Sequence, residues 1–142
     1  MTSDWTERRR EAAEEHADRL RRRQEAESAR AQAMLDEFTA AALRAELPTT
    51  RLVVTGYGGR GRATSDIEGW YVRGDQSMGV GTDGKLYVLS APLGVLDRLR
   101  GIHLTPIAPP LVLGAGGRDG DSIDLADALE RVLPGWRDDG ES

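Results

Sequence analysis

The segment that most invites a chemical reading is Gly56-Tyr57-Gly58-Gly59-Arg60-Gly61-Arg62, where glycines alternate with one aromatic ring and two guanidiniums. It spells a literal G-x-G-x-x-G on Gly56, Gly58 and Gly61 and follows an apolar run. A dinucleotide site also needs a helix opening at the last glycine, a second parallel strand and an acid about 20 residues on. Only residues 63–68 separate this loop from the next apolar run, too few for a crossover helix, and Asp83 falls in a turn. Two other chemistries fit the residue types. Backbone N–H groups of Tyr57, Gly58 and Gly59 with Arg60 and Arg62 could hold an anionic small molecule such as a nucleotide. Alternatively, Tyr57 could stack on a base while the arginines meet phosphates, as in nucleic-acid-binding RG segments. Against nucleic acid, the footprint is small and the chain is acidic, with a net charge of −5. A solvated connection between strands is the simplest account of the loop.

A second glycine run, 114–118, precedes a helix start, and Gly116, Gly117 and Arg118 are candidates to cradle an anion through free N–H groups. Asp119, Asp121 and Asp124 crowd the same helix start and oppose that use; capping the helix and complementing its dipole suits them better. The spacing of these acids lacks the third alternating ligand and terminal Glu of a calcium loop. His16 and His103 lie on different elements with no Ser, Asp or His at catalytic spacing, and Ser65, Ser77 and Ser90 have no nucleophile-elbow context. With no cysteine, thiolate chemistry, disulfides and Cys-ligated metal are excluded. The expectation is a protein without catalytic residues, metal or cofactor.

The elements that must position these residues divide sharply. Between Trp5 and Leu47 there is no Gly or Pro, and Ala, Glu, Arg, Gln and Leu dominate. Asp4 is placed to cap this helix and Pro48 to end it. A continuous helix of that length runs about 63 Å, roughly twice what the remaining chain can cover as a compact domain. At 100° per residue, Trp5, Ala12, Ala13, His16 and Leu20 share a sector with Met34, Phe38, Ala41 and Ala45, a thin stripe that Arg9, Arg23, Glu27 and Arg30 interrupt. Pairs such as Glu15–Arg19 and Asp18–Arg22 support the exposed faces. An antiparallel copy crossing near residue 25 would set Arg23 against Glu27, His16 against Met34 and Ala12 against Phe38.

Beyond Thr49 the pattern becomes short and extended: strands at 51–57, 69–73, 77–81 and 85–90, the last three joined as a meander by Gly74-Asp75-Gln76 and by Thr82-Asp83-Gly84. Leu93, Leu96 and Leu99 suggest a short helix over 92–100, followed by a strand at 102–107, a short apolar run at 111–113, and a closing helix capped by Asp121 or Ser122 and running to Leu133. Trp136 is placed to fold back on that helix.

These elements specify an α+β protein: a long amino-terminal helix, a mainly antiparallel sheet of about four to five short strands, and a carboxy-terminal helix packed on one face. Its organisation reads as a projecting charged helical arm at 1–33, a small domain at 34–136 and a disordered acidic tail at 137–142. Charge is uneven: residues 48–118 carry eight bases against five acids, residues 119–142 two against eight. With no secretory leader and no apolar run near the roughly 20 residues of a membrane span, a cytoplasmic protein with no membrane partner is expected. The leading functional expectation is a non-enzymatic interaction or assembly protein. It would use Trp5, His16, Leu20, Arg23 and Glu27 of the helix, as a coiled coil in a homodimer or against a protein partner. Anion or nucleotide binding at the glycine loops, and nucleic-acid binding at the 57–62 loop, are the alternatives.

Overall fold

The computed structural model describes residues 2–114 and 122–137. Gly116, Gly117, Arg118, Asp119, Asp121 and residues 138–142 lie outside them. Helix α1 (Thr2–Arg44) is unbroken over 43 residues. It starts before Asp4, which therefore sits in the first turn and not at the cap. It stops short of Pro48: Glu46 takes a left-handed φ of 54°, and the Leu47 N–H turns back to the Ala42 carbonyl at 2.9 Å, satisfying an end carbonyl as such a reversal does.

Five strands follow, β1 (Thr50–Gly56), β2 (Arg62–Tyr71), β3 (Met78–Gly81), β4 (Leu86–Val88) and β5 (Ser90–Ala91), in the order β4-β3-β2-β1-β5. All neighbours are antiparallel except β1 and β5. Since β4 and β5 are separated only by Leu89, one short stretch of chain closes both edges of the sheet. The Leu89 N–H bonds the Ser77 carbonyl at 2.8 Å, while its own carbonyl accepts from Thr55 N at 3.0 Å. The sheet therefore curls on itself, an arrangement that leaves little free edge.

The curl gives the sheet two apolar faces. Its concave side encloses Leu52, Val54, Tyr87 and Leu89, with Ile67, Tyr71 and Leu93 against them. A β-carbon at Gly79 would lie 2.8 Å from Leu52 Cδ1 and 3.2 Å from Leu89 Cδ1, so the missing side chain is what lets the sheet close this tightly. The convex side, with Trp70, Val72, Val80 and Leu86, packs on Leu35, Phe38 and Ala42 of α1 and on the closing helix α3 (Leu125–Val132). Phe38 sits edge-on between Trp70 (centroids 5.6 Å apart) and Trp136 (6.2 Å), a geometry that aromatic quadrupoles favour. Trp70 and Tyr71 thus point to opposite faces but both find cover. Trp70 Nε1 donates to the Leu47 carbonyl at 3.2 Å, and the Tyr71 hydroxyl accepts from Val53 N at 3.0 Å.

Several local expectations are corrected. The second strand begins at Arg62 rather than 69, because Ala63 and Ser65 are buried at period two; such small residues pack well inside a curl but carry little strand propensity. No strand forms over 102–107. Ile102 and Ile107 make only isolated bridges, to Ser65 and Leu86, in a stretch closed by Pro106, Pro109 and Pro110 that cannot donate ladder bonds. The 111–113 run forms β6 (Val112–Leu113) with β7 (Ile123–Asp124). That added pairing moves the start of α3 to Leu125, with Asp124 at the cap making no side-chain hydrogen bond.

Candidate functional site

Side chains of 3–26 in α1 are exposed throughout, save a half-covered Asp18, and the first buried residue is Ala31. About 36 Å of helix therefore runs free of the domain. Trp5, His16, Leu20 and Arg23 all face solvent, and Glu27 is half-buried. Within the arm, the Arg9 guanidinium lies 4.7 Å from the Trp5 ring centre, and Arg21 pairs with Asp18 (2.9 Å) and Glu25 (3.8 Å). Asp18 thus takes Arg21 in place of the expected Arg22. Such exposed pairs steady a helix by a few tenths of a kcal/mol each.

The buried positions Ala31, Leu35, Phe38 and Ala42 repeat at helical spacing. They leave Ala45 exposed and Met34 at the rim of the core. The antiparallel register crossing near residue 25 is thereby overturned, because it requires Phe38 to face a partner when Phe38 is fully buried in its own domain.

The glycine-arginine segment is the hairpin loop between antiparallel β1 and β2, closed by Gly56 N to the Gly61 carbonyl at 2.8 Å. Tyr57–Gly59 make a single 3₁₀ turn, with Gly58 and Gly59 in the left-handed region. No helix opens at Gly61, in keeping with the rejection of a dinucleotide fold. Tyr57 stands 62% exposed, and with Gly58 and Arg60 it borders a cavity of about 550 Å³ whose other wall is Pro92, Leu93 and Arg98. Arg98 comes from helix α2 (Val95–Arg100) and was not marked by any sequence motif. Its guanidinium Nε lies 2.4 Å from where a β-carbon on Gly61 would stand, so Gly61 makes the seat for Arg98. Arg62 leads into β2 and is exposed.

Below α2 the fold builds a pair that sequence spacing hid. Asp66, on β2, binds His103 Nδ1 through Oδ2 and accepts the Leu104 N–H through Oδ1 at 3.1 Å. Partial burial pushes the Asp66 carboxyl up, but the Leu104 N–H and the His103 ring together hold it below the ordinary 3.8. Thirty-seven residues separate the two in sequence; they meet because Ile102 bridges to Ser65 beside β2. The dyad fixes one imidazole nitrogen, yet among the described residues no nucleophile completes it: the nearby Ser65 hydroxyl is buried and bonded within its own strand to Ile67.

Another cleft, of about 620 Å³, opens between the end of β2 and α3 beside Arg73 and Arg131. Arg73 is already engaged, donating to the Leu113 carbonyl at 3.2 Å and facing Asp75 at 3.6 Å. Tyr87 donates to Asp83 at 2.6 Å, and burial with that carboxylate pushes its phenol far up, holding it protonated. Among the described residues no cluster of three His, Asp or Glu side chains could hold a metal, and no helix is long and apolar enough to cross a membrane.

Compared with protein-family models, curated proteins and solved structures, the chain matches none.

Proposed function

We propose that the protein is a non-enzymatic assembly module whose amino-terminal arm pairs with the arm of a second copy. One observation carries this reading: residues 3–26 form a helix whose side chains, save a half-covered Asp18, are exposed to solvent, with Trp5 and Leu20 at 60% and 44%. Helices in proteins draw most of their stability from packing an apolar face, and a partner that covers the Trp5, His16 and Leu20 side supplies what the domain does not. A second copy fits electrostatically, since residues 3–26 hold seven arginines and seven acids and so do not repel their like. Because Phe38 is buried in the core and Met34 packs at its rim, the crossing lies toward residue 15 rather than 25. The cytoplasmic, coiled-coil homodimer expected from the sequence belongs to this same reading.

Light scattering after gel filtration tests it. The full chain is expected to run as a dimer at micromolar concentration, and chains lacking residues 2–26 or carrying Leu20→Glu as monomers. A monomeric full chain overturns the proposal.

A further inference from the structure

We infer that α2 and the adjoining β1–β2 loop form a docking surface for an anionic lipid bilayer. Helix α2 buries none of its six residues, and Val95, Leu96 and Leu99 are 70%, 62% and 78% exposed. Placed at 100° per residue, these three aliphatic side chains fill one sector of about 100°, with Arg98 on one flank, Arg100 on the other and Asp97 on the opposite side. Asp97 is half-buried and caps its own helix, accepting the Gly94 N–H at 2.8 Å. The arrangement is that of an interfacial helix: an apolar wedge at the centre, cations at the headgroup level, the acid turned away. Arg60 and Tyr57 extend the surface across the shared cavity. None of Arg60, Arg98 and Arg100 makes an ion pair among the described residues.

Charge picks out the partner. Residues 57–62 and 92–103 hold four arginines against one aspartate in a chain of net charge −5, so the local field attracts an anionic surface that the whole protein would not. A nucleic acid would use the guanidiniums and Tyr57 but leave three aliphatic side chains wet. A bilayer uses both sets at once, the aliphatics entering the acyl boundary while the arginine stems reach back to phosphates. Surface binding of this kind needs no spanning helix, so it is compatible with the lack of one among the described residues.

The full chain should co-sediment with phosphatidylcholine vesicles containing phosphatidylserine and not with phosphatidylcholine alone, and high salt should release it. Arg98→Gln and Arg100→Gln are each expected to weaken binding roughly fivefold, and Leu96→Ser with Leu99→Ser by more than about tenfold. All four side chains are exposed, and circular dichroism melts verify that the variants stay folded. Binding that is absent from phosphatidylserine vesicles, or that survives the leucine pair unchanged in folded protein, overturns the inference. So does a DNA retardation signal that depends on the arginines, ignores Leu96→Ser with Leu99→Ser, and has no vesicle counterpart.

Discussion

The two halves of α1 are written in nearly the same alphabet, yet one is a scaffold and the other an arm. From 31 to 42 the helix puts Ala31, Leu35, Phe38, Thr39, Ala41 and Ala42 out of solvent, against a sheet and a second helix. From 3 to 26 it offers Trp5, Leu20 and a handful of alanines among fourteen charges, and all but a half-covered Asp18 stand exposed. Helix propensity is alike in both halves. What differs is bulky apolar side chains returning every three or four residues, which only the later half has. Propensity makes a helix; a wide apolar stripe anchors it.

The comparison is most easily broken at Phe38. Phe38→Ala removes the ring between Trp70 and Trp136 and should destabilise the domain by about 3–5 kcal/mol in a urea titration, whereas Leu20→Ala should move the midpoint by less than about 0.5 kcal/mol. A large effect at Leu20 would mean that the arm is part of the cooperative unit. Glycine sharpens the contrast further. Ala17→Gly costs about 1 kcal/mol of helix, but in an arm uncoupled from the core that loss should appear as reduced helical ellipticity with an unchanged unfolding midpoint. The same substitution at Ala42, inside the packed half, should lower the midpoint itself.

The smallest effect concerns Asp66, which ties the chain after α2 to β2. Its carboxyl titrates below 3.8 in the folded state, so the stability it contributes is present above that pH and lost as pH falls through the folded value. Asp66→Asn should therefore be slightly less stable than the native chain at neutral pH, the two converging in acid. The difference will be modest because the pair is largely exposed. Curves that stay parallel through the acid range would show that the pair contributes nothing to folding.

How much of this was legible in the sequence varies with range. The meander of β2, β3 and β4 could be read from Asp83-Gly84 and Gly74-Asp75-Gln76, since turn chemistry is local. The start of β2 could not: Ala63 and Ser65 carry little strand propensity, one Thr64 between them makes no recognisable run, and the segment pairs because β1 lies alongside. Asp66 and His103 meet through a bridge at Ile102, which no spacing rule encodes. Leu93, Leu96 and Leu99 stood out as a stripe, but a stripe in sequence does not say what covers it. Leu93 packs into the curl, while Leu96 and Leu99 stay outside.

The sequence by itself determined the long helix, the α+β class and the fold-back of Trp136, because each follows from propensity, alternation or short-range turns. Tertiary structure alone decided three things. It closed the sheet through Leu89, withdrew Phe38 from any partner, and seated Arg98 on Gly61 beside Tyr57 and Arg60. Each depends on which distant segments share space, a matter set by burying the two faces of one curled sheet rather than by any residue's own preference.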